Sequence, residues 1–230
     1  MAATQVHLVR HGEVHNPEGI LYGRLPGFRL SETGVKMAAL AAADLADRGR
    51  RIAALTSSPL QRTQESAAPI AEAFGLPIGT DARLIEPTNH FEGTVMRRAL
   101  RNPVNWPWLI NPLRPSWGEA YRSIAQRMRA AIDAAFDASS PSTGSGAGAG
   151  SGTGTGEEAG GDVVLVSHQL PIWVAHLDVA GERFMHDPRA RRCALSSITT
   201  FERHGGRIIE VGYADPAARL QAAARDVGAV

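Results

Sequence analysis

The sequence has a single lysine, a single cysteine and almost no net charge. Arginine supplies nearly all the positive charge, and basic residues number 24 against 23 acidic ones. This balance creates no global field that would attract nucleic acid or a membrane surface. Cys193 stands alone, so an internal disulfide or a cysteine-based zinc site is excluded.

Targeting signals and long apolar runs are also missing. The first residues lack the basic and apolar regions of a signal peptide. No apolar stretch reaches the ~18 residues that a membrane span needs. These absences predict a cytoplasmic protein without membrane or nucleic-acid partners. At 230 residues the chain can bury a sizeable core, and we interpret residues 1–230 as one domain.

Two segments differ from the rest of this predicted domain. Residues 139–161 form a low-complexity tract of Gly, Ser, Thr and Ala, which predicts a flexible insertion. A phosphate-binding loop is excluded there because no Gly-Lys-Ser/Thr follows. Residues 87–115 are rich in Pro and Asn and contain Trp106 and Trp108 beside several arginines. This second segment predicts an irregular, lid-like insertion that contacts substrate.

Elsewhere, predicted strands alternate with predicted helices. Apolar, β-branched runs indicate strands at residues 6–9, 52–56 and 163–166, and a late hairpin at 197–201 and 207–211. Helical spacing and end signals indicate helices that end near residues 48, 74, 137 and 181. Ser31 or Thr33 is expected to cap the first of these, and Ser58 and Ser116 begin capping boxes for the next two. The alternation predicts an α/β fold with a mostly parallel central sheet and helices on both faces.

Polar side chains follow the predicted strands where these strands end. Arg10 and His11 come directly after the first strand, His168 follows the strand at 163–166, and Arg62 lies one turn beyond the second strand. In parallel α/β sheets, ligands collect at the carboxyl ends of the strands. Two arginines and two histidines at one point repel one another unless an anion lies between them, and a phosphate suits the forked donors of arginine.

This set of residues predicts phosphoryl transfer. A neutral imidazole at His11 can attack phosphorus if its other nitrogen is fixed by an acceptor. The arginines and His168 can stabilise the charge on the transferring group, so no metal or other cofactor is required. Glu86 is the candidate that protonates the leaving group and later activates water, with Glu13 as the competing local choice.

Other interpretations of these residues are weaker. His7, His11 and His15 straddle a strand end and lack a matching Cys or carboxylate constellation, so we predict no metal site. Glu119 is explained by its capping box and is left out of the catalytic set. The two tryptophans of the lid-like segment could stack on a nucleotide, but tryptophans in a lid more often close it by packing.

These segments together resemble the histidine phosphatase superfamily, the phosphoglycerate mutase-like proteins of branch 1. The resemblance lies in residues 8–13, 57–63, 83–86 and 166–168, which occur in the family order. It implies the three-layer phosphoglycerate mutase-like fold. It also implies the following catalytic set: Arg10, His11, Arg62, Glu86 and His168.

The resemblance also implies which residues bind the substrate phosphate. Arg10, Arg62 and His168 are expected to contact it. Asn16 matches the loop asparagine of the family with a spacing one residue short, and Gly23 is expected to supply a backbone donor.

The segment after Glu86 bears on the reaction. Mutases that depend on a phosphorylated cofactor share an Arg and a Tyr-Gly pair there, whereas this chain continues with Pro, Thr, Asn and His. We therefore predict a metal-independent phosphomonoesterase that hydrolyses a small phosphorylated metabolite through a phosphohistidine. The alternatives are a phosphoglycerate mutase-type transfer and a non-catalytic protein that binds a phosphorylated ligand. The complete catalytic set argues against the last alternative.

Overall fold

A six-stranded sheet runs through the centre of the fold. The computed structural model describes residues 4–109, 117–139, 160–224 and 226. The strands are β1 (Gln5–Arg10), β2 (Ile52–Ser57), β3 (Ile78–Thr80), β4 (Asp162–Ser167), β5 (Ile198–His204) and β6 (Arg207–Ala214). The helices are α1 (Glu32–Asp47), α2 (Gln61–Phe74), α3 (Met96–Ala99), α4 (Tyr121–Ser139), α5 (Gln169–Ala180) and α6 (Ala218–Gln221). Short 3₁₀ helices cover Ala82–Leu84, Pro103–Leu109 and Pro188–Ala190.

The strand order is β3-β2-β4-β1-β5-β6. The pairs β3-β2, β2-β4 and β4-β1 are parallel, whereas β5 is antiparallel to both of its neighbours. In the central pair, Arg10 at the end of β1 lies in register with Ser167 at the end of β4. The carboxyl ends of β1, β2 and β4 therefore meet at one edge of the sheet. The predicted α/β class with a mostly parallel sheet is confirmed.

Helices cover both faces of this sheet. Val6 and Leu8 of β1 belong to a core cluster that also contains buried residues of α4 and α5. Val9, which points to the opposite face because side chains alternate along a strand, packs in a second cluster with residues of α1 and α2. The central strands are therefore buried on both sides, which explains their continuous apolar runs.

The helix starts agree only in part with the capping patterns. Ser31 caps α1, and its side chain accepts a hydrogen bond from the Gly34 N–H, as predicted. The capping box at Ser58 is wrong, because α2 begins at Gln61 with Leu60 at the N-cap position. The Ser58 hydroxyl instead lies 2.9 Å from His168 Nε2 on the neighbouring strand end, so a tertiary contact replaces the local cap.

The late hairpin forms as predicted and is longer than expected. Gly205 and Gly206 connect β5 to β6, and both have positive φ angles (56° and 79°), which two-residue hairpin turns require. Within the described residues, no helix is long and apolar enough to cross a membrane.

The two predicted insertions have different outcomes. The segment at 87–115 is not wholly irregular, because it contains α3 and a 3₁₀ helix, while its residues 110–115 lie outside the described residues. Most of the low-complexity tract, residues 140–159, also lies outside them, as does the predicted cap Ser116. The described helix after that cap begins at Tyr121 and buries Ile124, Met128 and Ile132 at the predicted spacing.

Candidate active site

His11 lies immediately beyond the carboxyl end of β1. Its backbone N–H donates to Ser167 O of β4, so the neighbouring strand end fixes its position. The next position, Gly12, requires a glycine because the chain passes very close to the start of α1 there. A Cβ atom at this position would be 2.4 Å from Gly34 O, a backbone atom that cannot move aside. The His11 side chain is only 2% exposed.

The His11 ring is held in the tautomer that a nucleophile needs. Its Nδ1 lies 2.7 Å from Gly12 O, and because a carbonyl oxygen can only accept, Nδ1 carries the proton. The lone pair is therefore on Nε2. Burial, with the positive charges of Arg62 and Arg10, holds the pKa of His11 well below its usual 6.5. The ring is consequently neutral at neutral pH.

His168 lies opposite, at the carboxyl end of β4. The two imidazole centroids are 5.2 Å apart, with an interplanar angle of 64°. His168 Nδ1 is 3.2 Å from Arg62 Nη2 and 3.4 Å from Glu86 Oε2. Burial and the nearby Arg62 hold the pKa of His168 well below its usual value. His168 therefore contacts both an arginine and the candidate acid.

Arg10 and Arg62 bring two buried guanidinium groups to the same place. Each residue is 1% exposed, and the Nε atom of each has no hydrogen-bond partner among the described residues. Arg62 Nη2 donates to Gly23 O at 2.7 Å, and its guanidinium carbon lies 4.8 Å from the centre of the Tyr22 ring. Buried donors are nearly always paired in proteins, so two unpaired ones beside two histidines fit an anion such as phosphate.

Glu86 has the properties of a general acid. It is 7% exposed, and burial raises its pKa to about 7 although Arg62, Arg191 and Arg10 oppose the shift. A carboxyl with this pKa holds its proton for part of the time at neutral pH and can also release it. The backbone oxygen of Glu86 accepts a 2.5 Å hydrogen bond from Arg24 Nε, which fixes the segment.

The competing carboxylates have other partners. The Ser31 hydroxyl, which caps α1, donates to Glu13 Oε2 at 2.5 Å. Glu119 accepts two 3.0 Å hydrogen bonds from Arg127 and one from Ser123. Neither contact involves a histidine of the site. Glu86, in contrast, has its Oε2 atom 3.4 Å from His168 Nδ1.

The two predicted loop contacts lie at the margin of this group. The Asn16 side chain bridges its own loop, with Nδ2 donating to Ile20 O at 2.8 Å and Oδ1 accepting from Ile20 N. Gly23 uses its carbonyl oxygen to hold Arg62. Both residues are therefore near the site through the loop they belong to, and their direct phosphate contacts stay predictions.

A cleft leads away from Glu86 toward the predicted lid. It is lined by Gly23, Glu86, Thr88, Asn89, Trp117 and Tyr121, among others. Trp108 stacks on His90 with ring centroids 4.2 Å apart, whereas Trp106 is 57% exposed. Neither tryptophan of the 3₁₀ helix lines this cleft.

Comparison with known proteins decides the family. A sequence model of the histidine phosphatase superfamily (branch 1) matches residues 6–145, which is more than half of the chain. The chain belongs to the histidine phosphatase superfamily, branch 1. The resemblance that we inferred from the strand-end motifs is thus confirmed, and so is the phosphatase class of enzyme.

Individual histidine phosphatase relatives agree with this assignment. Rv0525, an uncharacterised protein of Mycobacterium tuberculosis, is 50% identical over 94% of this chain and 98% of its own length. The probable phosphoglycerate mutase GpmB of Yersinia pestis is 30% identical over 84% of each chain. A solved structure of mycobacterial glucosyl-3-phosphoglycerate phosphatase with inorganic phosphate has a TM-score of 0.70 and 26% identity, covering 94% of this chain and 99% of that chain.

Several residues of this histidine phosphatase site were not found by sequence reasoning. Tyr22 stacks on Arg62, Arg24 anchors the Glu86 backbone, and Ser58 contacts His168. Ser58 was assigned to a helix cap, and a serine two residues beyond a predicted strand was the available signal for a site role. Asp226 pairs with Arg10 from the far end of the chain, and no local pattern marks it.

Proposed function

We propose that the protein hydrolyses phosphomonoesters of small metabolites through a phosphohistidine on His11. One observation carries this proposal. A neutral His11 with its lone pair on Nε2 lies beside Arg10 and Arg62, each of which has an unpaired buried Nε–H. This combination offers a nucleophile and donors for the oxygens of one phosphoryl group.

In the first step, His11 Nε2 uses its lone pair to form a bond to phosphorus while the bond between phosphorus and the ester oxygen breaks. Glu86, in its protonated form, gives its proton to the departing oxygen, so an alcohol leaves rather than an alkoxide. Arg10 and Arg62 donate to the phosphoryl oxygens, which carry the charge during transfer, and His168 lies beside them in contact with Arg62.

In the second step, the Glu86 carboxylate takes a proton from water, and the water oxygen attacks phosphorus. The bond between phosphorus and Nε2 breaks, and inorganic phosphate leaves. His11 and Glu86 return to their starting protonation states. A pKa of about 7 for Glu86 supports both roles at neutral pH.

The leaving group of the substrate would lie in the cleft beside Glu86. Asn89, Tyr121 and Trp117 are among the residues that line it. These groups suit a leaving group with both polar and apolar surface. The structural relative named for glucosyl-3-phosphoglycerate acts on a phosphate ester whose leaving group carries a sugar, which is consistent with that chemistry.

The proposal is tested with a panel of phosphate esters in the presence of a chelator. We expect phosphate release by the wild type and a loss of roughly a thousandfold or more for His11→Ala. His15→Ala is the matched control, because His15 is exposed and only four residues away. Turnover that survives in His11→Ala would contradict the assignment of the nucleophile.

Trapping the intermediate tests the phosphohistidine itself, and comparing transfer with phosphate release separates hydrolysis from mutase-type transfer. Brief incubation with a labelled ester should leave an acid-labile, alkali-stable label on the wild type and on His15→Ala, but none on His11→Ala. Mutase-type transfer is the alternative reaction, because one relative is named as a probable phosphoglycerate mutase. Transfer between phosphoglycerate isomers that far outruns phosphate release would favour it.

A further inference from the structure

Arg10 is held by a carboxylate from the far end of the chain. Asp226 Oδ2 accepts from Arg10 Nη1 at 2.8 Å, and Asp226 Oδ1 accepts from Arg10 Nη2 at 2.5 Å. Arg10 Nη1 also donates to Cys193 O at 2.7 Å. The two residues of the ion pair are 216 positions apart in sequence. A forked ion pair of this kind fixes both the position and the plane of a guanidinium group.

Two N–H donors of Arg10 are not used by Asp226 or Cys193. A guanidinium group has five N–H donors in a fixed plane. Asp226 and Cys193 take three of those of Arg10, namely both on Nη1 and one on Nη2. The donors left are the buried Nε–H, which has no partner in the part of the chain that the structure describes, and the second hydrogen of Nη2. These two lie on the same edge of the group, where they form a fork for two oxygens of one phosphoryl group.

The two arginines of the site are held in different ways. Among the described residues, the groups that contact Arg62 are the neutral Gly23 O, Tyr22 ring and His168, and burial lowers the pKa of Arg62. Burial also acts to lower the pKa of Arg10, but the carboxylate of Asp226 outweighs it and raises that pKa above its usual value. Arg10 thus owes its orientation to a charged partner, and Arg62 does not.

The carboxylate occupies one edge of the Arg10 guanidinium. Asp226 contacts Nη1 and Nη2, and the Nε atom has no hydrogen-bond partner among the described residues. Asp226 and Cys193 also line a surface depression together with Gln169, Arg192 and Tyr213. A phosphoryl group can therefore bind the Nε edge while Asp226 stays in place, which favours a supporting role for the carboxylate.

We propose that Asp226 is a positioning residue for phosphoryl transfer. Its carboxylate, with Cys193 O, holds the guanidinium of Arg10 so that the Nε edge faces the phosphoryl group. The Gln169 side-chain amide donates to Asp226 Oδ2 at 3.4 Å, the same oxygen that Arg10 Nη1 contacts. This inference rests on the proposed function, in which Arg10 binds the phosphoryl oxygens.

The test is Asp226→Asn, which keeps the size of the side chain and removes its charge. Asp215→Asn is the matched control, since Asp215 lies in the same C-terminal region and accepts from Gln221 rather than from Arg10. We expect Asp226→Asn to weaken the binding of inorganic phosphate, measured by calorimetry, by about tenfold or more, because a charge-assisted fork is lost. We expect kcat/KM to fall by a similar factor while Tm stays within about 3 °C. Asp215→Asn should change neither phosphate binding nor kcat/KM.

Further outcomes separate this role from others. Asp226→Glu keeps the charge and should recover part of the lost phosphate affinity, which a general packing defect would not allow. Unchanged phosphate binding in Asp226→Asn would overturn the proposal. Tighter binding would overturn it as well and would show that the carboxylate competes with phosphate. Because calorimetry needs no turnover, a wild type that binds phosphate but hydrolyses no ester would count against the proposed function alone.

Discussion

The two ends of the central sheet both carry polar residues such as histidine and arginine. They differ in how far the hydrogen-bonding groups of these residues are paired within the protein. At the amino end, His7 Nδ1 lies 3.0 Å from Thr200 Oγ1 and His7 Nε2 lies 3.3 Å from Asp162 Oδ2. Arg50 donates to both oxygens of the same Asp162, at 2.5 and 2.8 Å. At the carboxyl end, by contrast, the Nε atoms of two arginines have no partner among the described residues.

Burial alone does not distinguish the two ends. It lowers the pKa of His7 just as it lowers that of His11, and both rings are almost completely buried. The difference is in how many donors and acceptors the protein itself satisfies. Groups that are satisfied internally fix the strands to one another, whereas unpaired donors next to a neutral nucleophile are available to a ligand. Paired polar groups therefore mark the structural end of this sheet, and unpaired ones mark the functional end.

The largest effect in this comparison is expected from removing the acid at the functional end. Glu86→Gln keeps the shape of the side chain but cannot donate the proton. For alkyl phosphates we expect kcat/KM, which reports steps up to the departure of the leaving group, to fall by about a hundredfold or more. For p-nitrophenyl phosphate, whose leaving group needs little protonation, the fall should be roughly tenfold or less. The ratio of the two losses, measured by steady-state kinetics, identifies a general acid.

The pH dependence of the same variant gives a second measurement. Burial raises the pKa of Glu86 to about 7, so its protonated form declines as the pH rises through 7. The kcat/KM of the wild type for alkyl phosphates should therefore fall above pH 7, and Glu86→Gln should lack that fall. Glu13→Gln is the control, because Glu13 contacts Ser31, and it should keep the wild-type profile. If instead Glu13→Gln lacked the fall above pH 7 and Glu86→Gln kept it, Glu13 would be the general acid.

A smaller effect, on stability, is expected at the structural end. Asp162→Asn removes the charge that pairs with Arg50 and His7. Asp162 is buried but Arg50 is 27% exposed, so losing this pair costs about 1 to 2 kcal/mol, which corresponds to a fall in Tm of roughly 2 to 8 °C for a chain of this size. The site lies about 13 Å along the strand from His7, so kcat/KM per folded molecule should change by about twofold or less. A large loss of kcat/KM would show that the two ends are coupled.

Lowering the pH should reduce the difference in the free energy of unfolding between Asp162→Asn and the wild type. Burial would raise the pKa of Asp162, but hydrogen bonds from Arg50 and His7 outweigh it and lower that pKa below its usual 3.8. The stabilisation from a depressed carboxyl pKa is present above pH ~4 and is lost as the pH falls further. Urea denaturation at pH 7 and at pH 3 measures this. An equal difference at both values would contradict the role of the charge.

The sheet and most of the site could be predicted because both depend on local patterns. A buried parallel strand needs a continuous apolar run, and His11 and His168 were found because such runs end abruptly at polar residues. The parallel arrangement then brings these ends together without further information. The same reasoning reached Arg62, because a short turn separates it from β2.

What could not be predicted depends on contacts between distant segments. The Ser58 motif fits a capping box. A rule based on local sequence cannot show that the Ser58 hydroxyl contacts His168 instead. Asp226 lies 216 positions from Arg10, so no spacing relates the two. The state of Glu86 also depends on tertiary structure, because burial and four arginines from separate segments set its pKa.

The smallest effect is expected from shortening the low-complexity tract, residues 140–159. The tract follows α4 and leads into β4 at Asp162, the amino end of the sheet, where Gly161 packs against the backbone of Arg51. Because the site is at the opposite end, replacing these residues with a shorter Gly/Ser linker should leave kcat/KM within about twofold and Tm within a few degrees. A large loss of turnover in a variant that stays folded would show that the tract contributes to the functional end, and the division between the two ends would then fail.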